Sequence, residues 1–210
     1  MTTPQDSPAD GFDPARTAVL ALHWQVNVIR PEGFFGAMLA EPVRASGVVE
    51  RAARFHGRAR GAGVPVLFTR FTVPEDGGAL VRNTAFMAAV DDARDAFRPD
   101  AAGSRLIPEM ERDGAEVWDN QRLSGLAGTG LPERLAARGV DTLLVTGVAT
   151  NLTVEQTARH GTDLGFSVHV LGDCTAAADP EVHRASLANL ELATAGVLDA
   201  ARVLELLGAG

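Results

Sequence analysis

The sequence predicts an α/β protein. It reads as a single three-layer domain, with a six-stranded, mostly parallel sheet of order 3-2-1-4-5-6 and helices on both faces. Three observations lead to that layering, and the strand order is the usual one for a doubly wound sheet. Short apolar runs alternate with stretches of helical periodicity, the mark of repeated βα units. The apolar runs lack polar alternation, as strands buried on both faces do. A length of 210 residues with 46% hydrophobic and 22% charged content suits one core.

The elements follow in order. Residues 1–15 are polar and acidic at their start and read as a loosely ordered tail, leaving residues 16–210 as the domain. Thr17–Leu22 (TAVLAL) is a buried strand. Val43–Ala62 has apolar residues at helical spacing and stops at Gly61 and Gly63. Val64–Arg70 (VPVLFTR) is the second strand, Thr72–Gly78 a loop, and Ala79–Ala96 partly helical. Ala115–Trp118 is a short third strand. Pro132 opens a helix over Leu131–Arg138, where the first turn tolerates proline. Thr142–Thr146 is the fourth strand and Thr150–Leu164 a helix. Ser167–Leu171 is the fifth strand, Pro180–Thr194 a helix, Gly196–Leu198 a short sixth strand, and Ala200–Leu207 the terminal helix.

Composition excludes several function classes. The formal charge is -8, and no basic cluster marks a phosphate-binding face, so nucleic acid is not an expected partner. No apolar run approaches the roughly 20 residues that span a bilayer. The N-terminus is the reverse of a signal peptide, so no membrane and a cytoplasmic location are expected. Cys174 is the single cysteine, which excludes an intrachain disulfide and a multi-cysteine zinc site. All 19 basic residues are arginine, and there is no lysine or tyrosine. Schiff-base chemistry and a phosphate-loop lysine are therefore absent.

In open parallel sheets, sites form beyond the carboxyl ends of the strands. The residues there are His23, Trp24 and Gln25, then Arg70 and Phe71, then Asp119, Asn120 and Arg122, then Gly147–Thr153, then Asp173 and Cys174. His23 differs from the other four histidines, which fall on helices or inside a strand. An ordinary imidazole pKa near neutrality suits acid–base work, although a buried structural histidine fits the same position. The segment Gly147–Ala158 (GVATNLTVEQTA) takes a strand through a tight turn into a helix, whose free N–H groups can face developing negative charge. Thr150 and Asn151 are natural helix caps, and Thr153 lies in the first turn with its hydroxyl able to face a pocket or simply to pack. The glycines of GLAGTG (125–130) lack a dinucleotide fingerprint and read as a flexible turn.

Over about Thr17 to Val197 the chain resembles the isochorismatase-like hydrolase superfamily, which includes nicotinamidases and N-carbamoyl amidohydrolases. The likeness rests on GVATNLTVEQTA, on Gly165–Val170 with Asp173–Ala177, on Leu22–Gln25, and on Asn120–Gly125. Most members carry an aspartate after the first strand, a lysine after the third, and a cysteine nucleophile in the first turn after the fourth. Here those positions hold His23, Asn120 and Thr153. The resemblance implies that the three share one pocket. It also implies an oxyanion hole from the Ala149 and Thr153 N–H groups after a cis peptide near Val148–Ala149.

The expected function is hydrolysis of an amide, ester or enol ether in a small metabolite. His23 would carry the acid–base chemistry without the Asp-Lys-Cys triad, with Asn120 donating to an oxyanion. Asp119 is available to orient His23. The alternatives are a lyase, isomerase or cyclase on the same fold, or an inactive binding or assembly homologue. Trp24, Phe71, Phe86 and Trp118 can wall a small substrate or be core. Gln25 and Ala149 border the same region. Arg70 or Arg122 can clamp a carboxylate or be structural. No metal is expected, since no Asp/His cluster follows the second strand, and no organic cofactor is indicated. The partners expected are a small-molecule substrate and, from the resemblance, further copies in a homodimer or larger homo-oligomer.

Overall fold

The computed structural model describes residues 11–209. Six parallel strands form one sheet in the order β3-β2-β1-β4-β5-β6. They are β1 (Thr17–Leu22), β2 (Val66–Phe71), β3 (Glu116–Asn120), β4 (Thr142–Val148), β5 (Ser167–Ala176) and β6 (Val197–Leu198). The helices are α1 (Val26–Ile29), α2 (Gly36–Ser46), α3 (Val48–Gly61), α4 (Ala85–Asp92), α5 (Leu131–Ala137), α6 (Glu155–Asp163), α7 (Pro180–Ala193) and α8 (Ala200–Leu206). Short 3-10 turns at Arg94–Phe97 and Ala102–Ser104 join α4 to β3.

Alternation of side chains along the strands creates two cores. Val19 and Ala21 of β1 face one side, with Val49, Ala52 and Phe55 of α3 and Val203 of α8. Ala18, Leu20 and Leu22 face the other, with Leu131 and Leu135 of α5, Ala158 of α6 and Leu190 of α7. All six residues of β1 are buried, which is why the strand reads as an unbroken apolar run.

Several boundaries move. The helix expected over Val43–Ala62 is two helices, because Gly47 takes a left-handed conformation (φ 64) between α2 and α3. Neither α1 nor the first half of α2 is legible in the sequence, since Pro42 sits inside α2. β3 runs on to Asn120 and β5 to Ala176, so Asp119, Asn120, Asp173 and Cys174 lie within strands rather than after them. Of the expected N-terminal tail, residues 1–10 lie outside the described residues. Within residues 11–15, Phe12 is buried, donates its N–H to the Leu206 carbonyl and meets the His169 ring edge-on. Asp179 and Asp199 cap α7 and α8 by accepting from first-turn N–H groups. Among the described residues no helix is long and apolar enough to cross a membrane.

At the sheet edges, β6 is two residues long. β3 carries charge instead: Glu116 pairs with Arg138, and Asp119 pairs with Arg70 of β2.

His56 of α3 is buried beside Trp24 and the Phe68 ring, with Nε2 2.9 Å from the Thr146 hydroxyl. Burial, then the nearby Arg60 charge, pushes its pKa down to about 3. The unfolded chain binds a proton there near pH 6.5 and the folded chain does not. Folding is therefore favoured above that pH and weakened as pH falls from about 6.5 towards 3. In urea titrations the chain should lose roughly 1.4 kcal/mol per pH unit for each such histidine below pH 6.5. A His56→Leu variant should show a shallower slope by one histidine, and an unchanged slope would contradict this assignment.

Gly147 has φ 147, and a Cβ there would stand 2.4 Å from the Leu22 carbonyl oxygen. Gly147→Ala should cost about 2–4 kcal/mol in equilibrium unfolding. A cost under about 0.5 kcal/mol would show that the two strands can separate locally.

Candidate active site

The site grows from the carboxyl ends of β1, β3 and β4. His23 leaves β1 in a left-handed conformation (φ 54), uncommon for a residue with a Cβ. Its backbone N–H still donates to the Thr69 carbonyl at 3.1 Å, so the ring is set by the end of the sheet. Its Nε2 lies 3.1 Å from Oδ1 of Asn120. Asn120 in turn donates from Nδ2 to the Arg122 carbonyl at 2.6 Å. That carbonyl accepts only, so the amide oxygen must face His23. The proton of the neutral ring therefore sits on Nε2, and Nδ1 keeps its lone pair.

Burial drives the His23 pKa down to about 4, against a smaller upward pull from the Asn120 bond. The expectation of an ordinary imidazole pKa near neutrality is corrected accordingly: His23 is neutral at pH 7. Asp119 does not orient it. The strand alternates, so Asp119 faces outward and takes Arg70 in a two-pronged contact of 2.7 and 2.9 Å. The Asn120 amide is turned to a carbonyl and a histidine, away from the oxyanion-donor role expected of it.

The peptide between Val148 and Ala149 is cis. The chain then makes a π-helical turn over Thr150–Val154 before α6. The Leu152 and Val154 N–H groups return to the Ala149 carbonyl. Among the described residues the Ala149 N–H donates no backbone hydrogen bond. The expected capping by Thr150 and Asn151 is not seen. Thr150 meets Nδ1 of His183 in α7 at 2.8 Å, and Asn151 is exposed. The Thr153 hydroxyl is buried and has no hydrogen-bond partner among the described residues.

His23, Thr153 and Ala149 line one cavity. About 40 Å³ of it admits the centre of a water-sized molecule, and with the open mouth included its empty space is about 480 Å³. Phe71 at the end of β2 lines it, as do Phe86 and Val90 of α4. Phe35, Met38 and Leu39, at and within the start of α2, and Phe97 of the 3-10 turn complete much of the wall. The rings hold one another: Phe35 and Phe86 stack at 5.5 Å, and Phe71 meets Phe97 edge-on at 5.7 Å.

The other expected site residues lie outside this cavity. Trp24 is fully buried against His56. Gln25 is a structural clamp: it accepts from the Phe71 N–H at 2.7 Å and donates to the Phe71 and Ser104 carbonyls. Trp118 donates to Glu116 and packs on the second core. Arg70 is held by Asp119, and Arg122 takes part through its carbonyl rather than its guanidinium. Cys174 is buried and free, and burial pushes its thiol pKa up. The sequence reading missed Phe35, Met38, Leu39 and Phe97. The run GFFGAML (33–39) was the available signal, masked by two glycines and Pro42 in a stretch that reads poorly as helix. Among the described residues no group of three or more His, Cys, Asp or Glu side chains is placed to hold a metal.

Comparison with known proteins adds lineage to this geometry. Ureidoacrylate amidohydrolase RutB of Methylobacterium radiotolerans is 34% identical over 213 residues, covering 94% of this chain and 81% of that protein. Nicotinamidase 3 of Arabidopsis thaliana is 34% identical over 145 residues, covering 67% of this chain and 69% of that protein. The crystal structure of a cysteine hydrolase from Pseudomonas syringae pv. phaseolicola superposes with a TM-score of 0.82 at 25% identity, covering 95% of this chain and 96% of that one. The isochorismatase domain matches residues 17–202. With the sheet order, the cis peptide and the helical turn after β4 in place, the chain belongs to the isochorismatase family.

Proposed function

We propose that the chain hydrolyses an amide of a small, uncomplicated organic molecule, by proton transfer at His23 rather than through a cysteine nucleophile. One observation carries this reading: a buried Thr153 hydroxyl, without a hydrogen-bond partner among the described residues, belongs to a residue that lines the same cavity as a neutral histidine. An unsatisfied buried hydroxyl costs stability, and at a cavity wall a bound ligand can supply the missing partner. The amidohydrolase and nicotinamidase relatives support the amide as the reacting group.

In this reading His23, Asn120 and Thr153 replace the aspartate, lysine and cysteine that the resemblance places there. Nδ1 of His23 takes a proton from water as the water oxygen bonds to the amide carbon. The Ala149 and Thr153 N–H groups and the Thr153 hydroxyl receive the charge that forms on the carbonyl oxygen. The C–N bond then breaks, and the proton passes from His23 to the departing nitrogen, leaving acid and amine. Asn120 acts through His23: it holds the Nε2 proton so that the lone pair stays on Nδ1. No hydrogen bond joins His23 to Thr153 among the described contacts, which favours water over the threonine as the attacking group. The same observation favours a second reading, a lyase, isomerase or cyclase that needs proton transfer alone. An inactive binding homologue would keep the cavity and turn nothing over.

Ammonia release from a panel of primary carboxamides tests these readings. His23→Ala should lower kcat/KM by about 100-fold or more, while Thr153→Ala should reduce it less and leave no covalent intermediate to trap. Full activity in His23→Ala would sink the proposal. Abolished activity in Thr153→Ala, with a trapped acyl group on the wild-type threonine, would replace it with a covalent route.

The acid limb of the rate profile is a separate check. The working form of His23 is the neutral one, whose pKa lies near 4. The rate should hold as pH falls through 6.5 and drop only near pH 4. A limb centred near 6.5 would mean that the acting base is not this buried ring.

A further inference from the structure

The side chains absent from the cavity wall carry information about its ligand. Among the described residues no charged side chain lines it. The chain has no lysine, and neither Arg70 nor Arg122, the arginines nearest in sequence to the strand ends, lines the cavity. Arg70 is paired with Asp119, and Arg122 is exposed, with its backbone carbonyl accepting from Asn120. The only polar side chains among its lining residues are His23, which is neutral, and Thr153. The remaining lining residues are apolar, four phenylalanines with aliphatic side chains that include Met38 and Leu39.

A carboxylate carried into such a wall would lose its water and find no cation. That is among the costliest exchanges in protein chemistry. An apolar ring meets the opposite conditions: it sheds water favourably and lies against aromatic faces and edges. The enclosed part of the cavity is small, which limits the ligand's size, and Met38 lines it while remaining 45% exposed, so this residue reaches both cavity and surface.

We propose that the cavity takes a primary carboxamide bearing an uncharged apolar group about one ring in size, and excludes substrates bearing a carboxylate. This rests on the reading of the cavity as the active site. The aromatic wall sets the preference, and Met38 at the mouth is the position at which charge specificity can be changed.

Three probes separate charge from size: benzamide, 4-carbamoylbenzoate, and the methyl ester of the latter. Isothermal titration calorimetry with the full chain reads binding, and ammonia release is followed separately. Benzamide and the ester should bind, with 4-carbamoylbenzoate roughly 100-fold weaker than the ester. Phe86→Ala should weaken benzamide and the ester alike. Met38→Arg should strengthen 4-carbamoylbenzoate by about tenfold or more, without a matching gain for the ester. Equal binding of the carboxylate and its ester to the wild-type chain would overturn the proposal, and so would failure of both neutral probes to bind at millimolar concentration. Binding of the neutral probes without ammonia release upholds the specificity and instead removes amide hydrolysis as the reaction.

Discussion

The end of β4 lies against the end of β1 at a distance only glycine allows. Leu22 and Gly147 pair in register, and the Leu22 carbonyl occupies the space a side chain on Gly147 would need. That approach places the first residue beyond β1, His23, beside the turn that leaves β4. Everything that makes the region a site follows from it. The cis peptide, the Ala149 N–H and the first helical turn come next in the chain, within reach of a ring that leaves the neighbouring strand. β3 then completes the arrangement two strands away, since Phe71 pairs with Asn120 and carries it to the same end of the sheet.

Strand alternation decides how polarity is shared. Asp119 and Asn120 are adjacent, and the pleat sends them to opposite sides. The acid goes to the surface and is neutralised by Arg70; the amide goes inward and meets His23. A carboxylate in the inward position would have held His23 charged. The amide instead leaves burial as the dominant influence, and the ring stays neutral. The interior end of the sheet is consequently a place of hydrogen-bond direction rather than of charge, while the arginines form their ion pairs outside it.

Much of this was legible in the sequence. The parallel sheet and its two-sided helical cover follow from unbroken apolar strands separated by helical periods, and the strand order is the usual one for a doubly wound sheet. Strand-end placement and the family resemblance together single out His23, Asn120 and Thr153; the structure sets His23 beside Asn120, and His23 and Thr153 line one cavity. Two kinds of feature were not legible. Direction was one: whether Arg70 points to a substrate or to Asp119 depends on pairing between β2 and β3, which no single segment encodes. Long-range aromatic contact was the other. Phe35 and Phe86 are distant in sequence and stack only because α2 and α4 fold over the same strand ends. The imidazole pKa belongs with the first kind, because it is set by enclosure rather than by residue type.

The two borders of the sheet carry a consequence for how copies of this chain can meet. A border strand normally exposes a row of unpaired backbone groups on which another chain can build. Here one border offers only the two residues of β6, and the other is flanked by the Glu116 and Asp119 ion pairs. Neither presents a long, neutral template. A short border strand at one end and charged pairs at the other both work against growth of a shared sheet from molecule to molecule.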